Sequence, residues 1–147
     1  MSDIKYRTEN FNFAYRVSAI IFNSDETKIL LFYGDDMDFY MLPGGKVKER
    51  EKSEDAIKRE IFEELGYENL EYNFAGISEE LIAEKDNFIQ EITITYKCVY
   101  SGSIEGEGFK SKESDWINFK WVEISELDNY NIHPRRISAF VNIVVII

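Results

Sequence analysis

The chain has 147 residues, of which 44% are hydrophobic and 31% charged, and this composition is that of one globular domain spanning residues 1–147. The net charge is -11, so duplex nucleic acid and anionic membranes are unfavourable partners, because their phosphates would be repelled. A single cysteine, Cys98, a polar N-terminus and the lack of any apolar run near ~20 residues predict a cytoplasmic protein without a disulfide or a membrane span.

Segments rich in β-branched and aromatic residues predict most of the chain to be strand. The predicted strands are, in chain order, residues 12–23, 28–33, 39–42, 70–83, 88–100 and 115–124. The first two are separated by turn residues and predict a hairpin. Residues 101–113 are rich in Gly, Ser and charge and predict a loop, and Pro134 can open a last helix.

One strong helix is predicted in the middle of the chain, from about Ser53 to Leu65. Ser53 is a favourable N-cap residue, and Gly66 is a favourable residue directly after a helix. Because helices do not alternate strictly with strands, a Rossmann-type fold is disfavoured. A mixed sheet covered by helices fits the pattern better.

Three carboxylates share one arc of this helix, since Glu60, Glu63 and Glu64 stand at positions i, i+3 and i+4. Like charges at these spacings repel by a few tenths of a kcal/mol per exposed pair, on the order of the opposite-charge gain. Such a cluster is usually a solvated face. A hard divalent cation would instead turn the repulsion into attraction, because Mg²⁺ and Mn²⁺ prefer carboxylate and carbonyl oxygens.

The spacing around these residues resembles the Nudix box, whose form is G-x5-E-x7-R-E-U-x-E-E-x-G-U with U a bulky apolar residue. Residues 45–67 carry every fixed Gly and polar position, and only Tyr67 departs from the usual aliphatic residue at the end. The resemblance extends over about residues 12–140. It includes the segments YRVSAIIFN, KILLF and DFYMLPGGKV in the first third of the chain and the later segments FIQEITITY and DWINFKWVEISEL. The resemblance implies the Nudix fold, an α/β/α sandwich with a central mixed β-sheet.

The same resemblance implies hydrolysis of a nucleoside diphosphate linked to another group X, with Mg²⁺ or Mn²⁺ as cofactor. The positions that match the box imply which residues bind the metal and which take part in catalysis. The implied metal ligands are Glu60, Glu63, Glu64 and the carbonyl of Gly44, with Glu63 alternatively orienting or deprotonating water. Glu51 and Arg59 are expected to pair and to hold the carboxylates in place.

Other candidates lie outside this pattern. Arg16 and Lys46 are candidates for binding substrate phosphates, with plain surface charge as the alternative. A further carboxylate ligand is expected from Glu113, Glu105, Glu107 or Glu91, each of which could also be ordinary surface.

Three functions remain open from the sequence. The first is a pyrophosphohydrolase acting on a small nucleoside diphosphate derivative. The second is a non-catalytic Nudix-fold module that senses a nucleotide or binds a protein, and it is disfavoured because all box carboxylates are present. The third keeps the enzyme but changes its substrate to a capped or triphosphorylated RNA end. No residue in the sequence identifies the leaving group of the substrate. Exposed sheet edges and the apolar segment 141–147 make a homodimer plausible.

Overall fold

The computed structural model describes residues 1–104 and 106–133 of the chain. One α-helix, α1, covers Ser53–Leu65, and a 3₁₀ helix covers Ile124–Asn129. The strands are β1 (Lys5–Thr8), β2 (Phe11–Phe22), β3 (Lys28–Gly34), β4 (Tyr40–Met41), β5 (Gly44–Lys46), β6 (Asn73–Glu84), β7 (Asn87–Val99), β8 (Gly108–Lys110), β9 (Ile117–Glu123) and β10 (Ile132–His133).

The strands form a mixed sheet with β2 at its centre. Along the sheet the order is β10, β4, β3, β2, β7 and β6, while β1 and β5 also pair with β2, and β9 pairs with both β3 and β8. The pairing of β2 with β7 is parallel over twelve residue pairs from Phe11↔Phe88 to Phe22↔Val99, and that of β10 with β4 is parallel as well. The remaining pairs are antiparallel, including the predicted hairpin of β2 and β3. The predicted mixed sheet is therefore present.

Alternation along the central strands divides the apolar residues between the two faces of the sheet. Val17 and Ile21 of β2 pack in one core with Ile57 and Ile61 of α1, whereas Ile20 of β2 belongs to a second core. The second core also holds Phe22, Ile29, Leu31, Leu42, Val122, Leu127 and Ile132. Helix α1 thus covers one face of the sheet, and the opposite face carries its own apolar cluster.

Helix α1 has the predicted bounds, but its first residue plays a different role. Ile57, Ile61 and Leu65 recur every four residues and are buried, and each such side chain contributes about 1.5–3 kcal/mol. The helix ends at Gly66, whose φ of 72° is left-handed and whose N–H donates to the Phe62 carbonyl. The prediction that Ser53 is the N-cap is wrong. Lys52 precedes the helix, and the Ser53 hydroxyl lies 2.6 Å from that of Tyr96.

Several short strands were not predicted, because pairing rather than propensity forms them. Strand β8 lies inside the segment 101–113 that was expected to be a loop, and it is held by β9 through Phe109↔Phe119. Strands β1 and β5 are likewise short and polar, and both pair with β2. The long strand predicted from residue 70 begins at Asn73. The predicted helix at Pro134 and the segment 141–147 lie outside the described residues.

None of the helices in the described part of the chain is long and apolar enough to cross a membrane. Cys98 of β7 is buried against the α1 side of the sheet, and this burial raises the pKa of its thiol to about 12. It therefore acts as a small core residue rather than as a nucleophile.

Candidate active site

Arg59 of α1 joins the helix to the loop before it. Its Nε donates to Oε2 of Glu51 at 2.8 Å and its Nη2 donates to Oε1 at 3.0 Å, which is the paired geometry of a guanidinium and a carboxylate. Oε1 of Glu51 also accepts from the Lys48 backbone N–H at 3.0 Å, and Nη2 of Arg59 donates to the Lys46 carbonyl at 3.1 Å. The arginine holds the pKa of Glu51 below its usual range. The expected Glu51–Arg59 pair is therefore present.

The same guanidinium reaches two of the clustered carboxylates. Nη1 of Arg59 donates to Glu60 at 2.8 Å and to Glu63 at 3.4 Å. Burial raises the pKa of Glu60, while the hydrogen bond from Arg59 opposes that shift. Arg59 therefore compensates part of the repulsion within the cluster, and it does so at Glu60 and Glu63.

Glu64 is not compensated in this way. Its Oε2 is buried and has no hydrogen-bond partner among the described residues. Burial, followed by the charges of Glu60 and Glu113, raises its pKa to about 8, although Arg16 acts in the opposite direction. A buried acceptor without a donor costs about 1–3 kcal/mol, so Glu64 is poorly suited to a purely structural role.

The two glycines before the helix are required by close contacts. A methyl group on Gly45 would overlap the carboxylate of Glu60, and one on Gly44 would overlap the Val17 carbonyl oxygen. The close contact with Val17 gives a structural reason for glycine at position 44. Strand β5 places Gly45 opposite Val17 and Gly44 opposite Ser18. These glycines bring the carboxylates of α1 close to the sheet.

The two candidate phosphate-binding residues are neighbours, because Arg16 of β2 and Lys46 of β5 form a cross-strand pair. Both are half-buried. The charge of Arg16 opposes the rise in the pKa of Glu64, so Arg16 acts electrostatically on the carboxylate cluster. Lys46 reaches the cluster through its backbone, since its carbonyl accepts from Arg59.

Among the described candidates for a further carboxylate, Glu113 is the one whose charge acts on the cluster. Its charge raises the pKa of both Glu60 and Glu64. Its loop is tied to the end of α1, because the carbonyl of Glu64 accepts from the Lys112 N–H at 2.9 Å and from the Ser111 hydroxyl at 3.4 Å. The Glu113 N–H in turn donates to the Ser111 hydroxyl at 3.1 Å.

The other three candidates differ in position. Glu91 lies on β7 and lines a cavity beside Arg16. Glu107 is exposed, and its charge acts on Lys120 of β9. Glu105 lies outside the described residues.

A cavity of about 450 Å³ lies on the face of the sheet opposite α1. Its polar lining residues include Arg16, Ser18, Glu80, Glu91, Thr93 and His133. Sequence reasoning missed Glu80, because the register of β6 against β7 was not predicted. The available signal was the alternation that puts Ser78, Glu80 and Ile82 on one face of β6. That signal identifies Glu80 as a cavity residue only once Glu80 is known to stand opposite Glu91.

The donor atoms of the cluster fit a divalent cation, but they do not form a ready-made cage. Within residues 1–104 and 106–133, no group of three or more His, Cys, Asp or Glu side chains is arranged to hold a metal ion as it stands. Glu60 and Glu63 instead form ion pairs with Arg59. The Oε2 of Glu64, which has no partner among the described residues, and the oxygen-only donor set nevertheless suit a hard cation.

Two proteins of similar sequence carry enzyme names. A Bacillus subtilis (strain 168) protein named "Putative 8-oxo-dGTP diphosphatase" is 29% identical over 126 residues, which cover 84% of this chain and 77% of that protein. The Saccharomyces cerevisiae "m7GpppN-mRNA hydrolase" is 39% identical over 114 residues, which cover 75% of this chain but 10% of that protein.

The fold is also that of solved structures. The Escherichia coli dihydroneopterin triphosphate pyrophosphohydrolase superposes with a TM-score of 0.70 at 15% identity, covering 86% of this chain and 91% of that one. The predicted fold class is confirmed by this likeness. The family model of the NUDIX domain matches residues 12–141, a segment that contains the whole carboxylate cluster. The chain therefore belongs to the NUDIX domain family and is a Nudix hydrolase, an enzyme family that generally uses divalent metal ions.

Proposed function

We propose that this chain, as a single domain over residues 1–147, hydrolyses the phosphoric anhydride of a nucleoside diphosphate linked to another group X. The proposed cofactor is Mg²⁺ or Mn²⁺. The observation that carries the proposal is the state of Glu64, whose buried Oε2 lacks a partner among the described residues while the charges of Glu60 and Glu113 act on it. A divalent cation would satisfy that oxygen and offset the repulsion.

Glu60, Glu63, Glu64 and the carbonyl of Gly44 would hold the cation, with Glu113 as the favoured further carboxylate. When bound, the cation neutralises charge on the phosphates and lowers the pKa of water. This also explains how a chain with a net charge of -11 can bind a polyanion.

The remaining residues of the site have supporting tasks. Glu51 and Arg59 would act as positioning residues, because their paired hydrogen bonds fix the helix against the preceding loop. Glu63, which is the most exposed of the three acids that Arg59 contacts, would orient or deprotonate the attacking water. Arg16 and Lys46 would bind the phosphates. Water adds to phosphorus, the bridging P–O bond breaks, and two phosphorylated products leave.

The test is a panel of nucleoside diphosphate derivatives incubated with the purified chain and Mg²⁺ or Mn²⁺. We expect release of a nucleoside monophosphate or of pyrophosphate from at least one compound, and none in excess chelator. Glu63→Gln and Glu64→Gln should each lower turnover by orders of magnitude while the thermal unfolding temperature shows an intact fold. Glu71→Gln, at an exposed residue outside the site, is the matched control.

Two results would contradict the proposal. Full turnover by Glu64→Gln, or by the wild type in excess chelator, would contradict the assignment of the metal site. Nucleotide binding without turnover of any compound would favour the alternative, a non-catalytic module that senses a nucleotide or binds a protein.

A capped or triphosphorylated RNA end is the second candidate substrate. The yeast relative, an mRNA hydrolase by name, is more similar in sequence over the matched residues than the Bacillus subtilis relative, 39% against 29%. A capped RNA oligonucleotide therefore belongs in the panel. Cleavage of the capped oligonucleotide in preference to every small compound would favour this second candidate. The cytoplasmic location and the homodimer remain predictions, and light scattering of the purified chain tests the latter.

A further inference from the structure

The loop that joins β8 to β9, residues 111–116, is attached to the end of α1. The last carbonyl groups of a helix have no partner within it, and the carbonyl of Glu64 is one of them, because α1 ends at Leu65. The Lys112 N–H donates to this carbonyl at 2.9 Å, and the Ser111 hydroxyl donates to it at 3.4 Å. The loop is therefore bonded directly to the backbone of a proposed metal ligand.

The side chain of Lys112 adds an electrostatic attachment. The last turn of α1 contains no basic residue, although a helix C-terminus attracts positive charge. The Lys112 ammonium supplies that charge from the loop, since a methyl group on Gly66 would lie 2.8 Å from its Nζ. One amide and one ammonium group of Lys112 therefore already satisfy this helix end, and capping alone does not require the Ser111 hydroxyl.

The Ser111 hydroxyl links two segments that each carry an acid. Ser111 is only 8% exposed. A serine hydroxyl has one proton to donate and lone pairs that accept. Its proton goes to the Glu64 carbonyl, and its oxygen accepts from the Glu113 N–H at 3.1 Å. The Ser111 N–H donates to the Ile117 carbonyl at 2.9 Å and closes the loop behind this link.

The backbone is what determines where the Glu113 carboxylate lies. Glu113 is exposed, and within residues 1–104 and 106–133 its side chain makes no hydrogen bond or ion pair. A ligand on a loop that must first be ordered binds a cation less tightly, because the ordering costs conformational entropy. The hydrogen bond from the Glu113 N–H to Ser111 reduces that cost before any cation binds.

We propose that Ser111 is a positioning residue of the metal site, which fixes the loop carboxylate of Glu113 relative to the helix carboxylate of Glu64. This inference rests on the proposed function, in which both acids hold the cation. Ser111 does not touch the cation; it acts through the backbone of the two acids.

Mn²⁺ binding to the purified chain measures this role without turnover, because the EPR signal of free Mn²⁺ disappears as the ion binds. Ser111→Ala should raise the dissociation constant for Mn²⁺ at least about tenfold, as the loss of a group that orients metal ligands does. Ser111→Cys keeps the size of the side chain but bonds only weakly, so it should have the same effect even if alanine destabilises the loop.

Ser114→Ala is the matched control. Ser114 belongs to the same loop and is half-buried, and its hydroxyl makes no hydrogen bond within the described part of the chain. This variant should bind Mn²⁺ as the wild type does.

A double variant separates positioning from stability. Glu113→Gln alone should weaken Mn²⁺ binding. Adding Ser111→Ala to it should weaken the binding by no more than about a further factor of two, because residues that act as one unit are not additive. A purely structural serine would instead lower the thermal unfolding temperature in EDTA and leave the Mn²⁺ affinity of the folded chain unchanged.

Two results would overturn the inference. They are wild-type Mn²⁺ affinity in both Ser111→Ala and Ser111→Cys, and effects of Ser111→Ala and Glu113→Gln that multiply in the double variant. Either result, together with Mn²⁺ binding that Glu64→Gln weakens, refutes this inference alone. Mn²⁺ binding that depends on Ser111, without turnover of any compound, refutes the proposed function alone. A wild-type chain that binds no Mn²⁺ refutes both.

Discussion

Replacing Glu64 by Gln should stabilise the metal-free protein at pH 8. The pKa of Glu64 is about 8 in the folded state, against an ordinary value of 4.5 in the unfolded state. Between these two pH values the folded state keeps a proton that the unfolded state has released. The contribution to stability is therefore fully present below pH 4.5 and is lost as the pH rises toward 8. Glutamine has the shape of the protonated acid but does not ionise, so the variant does not lose this stability as the pH rises.

The size of the effect follows from the width of that pH interval. At about 1.4 kcal/mol per pH unit, a fully desolvated carboxylate would lose close to 5 kcal/mol between the two pKa values. Glu64 is only half-buried, so water screens part of the cost, and we expect a gain of about 2 kcal/mol in Glu64→Gln at pH 8. At pH 5 the difference should fall below about 1 kcal/mol.

Urea unfolding in EDTA at pH 5 and pH 8 measures both values, with Glu71→Gln as a control that should follow the wild type. Adding Mg²⁺ or Mn²⁺ should reverse the order, because a ligand that binds the folded state stabilises it by about 2.7 kcal/mol at 100 times its dissociation constant. The wild type should gain this stability and Glu64→Gln should not. Equal stability of the two proteins at pH 8 in EDTA, with the same dependence on pH, would refute the reasoning.

Three further predictions concern neighbouring residues. Arg59→Lys should lower kcat, and it should lower the free energy of unfolding by about 1.5–3 kcal/mol, because lysine cannot make the paired hydrogen bonds to Glu51. Steady-state kinetics test the first effect and urea unfolding tests the second. Gly45→Ala should reduce turnover more than about tenfold with an unchanged circular dichroism spectrum, since its methyl group displaces Glu60; wild-type turnover would contradict this contact. Cys98 should resist thiol reagents at pH 8 until urea unfolds the chain, because burial raises its pKa to about 12; rapid labelling of the folded chain would count against its burial.

The sequence alone was sufficient for the features that depend on local spacing. The bounds of α1 follow from its apolar period and from Gly66, and the pairing of Glu51 with Arg59 follows from the resemblance carried by the same segment. It did not identify Lys52 as the residue before the helix, because the Ser53 hydroxyl bonds to Tyr96, which lies 43 residues further along the chain.

Contacts between distant segments decided the rest. The parallel pairing of β2 with β7 brings Arg16 beside Thr93, and the register of β6 places Glu80 opposite Glu91. Shifting that register by one residue would turn Glu80 to the other face of the sheet, so no local pattern could place it in the cavity. Whether Glu64 is buried and lacks a partner among the described residues depends likewise on how the sheet and neighbouring loops close around it, because desolvation is a property of the packed molecule and not of the sequence near the residue.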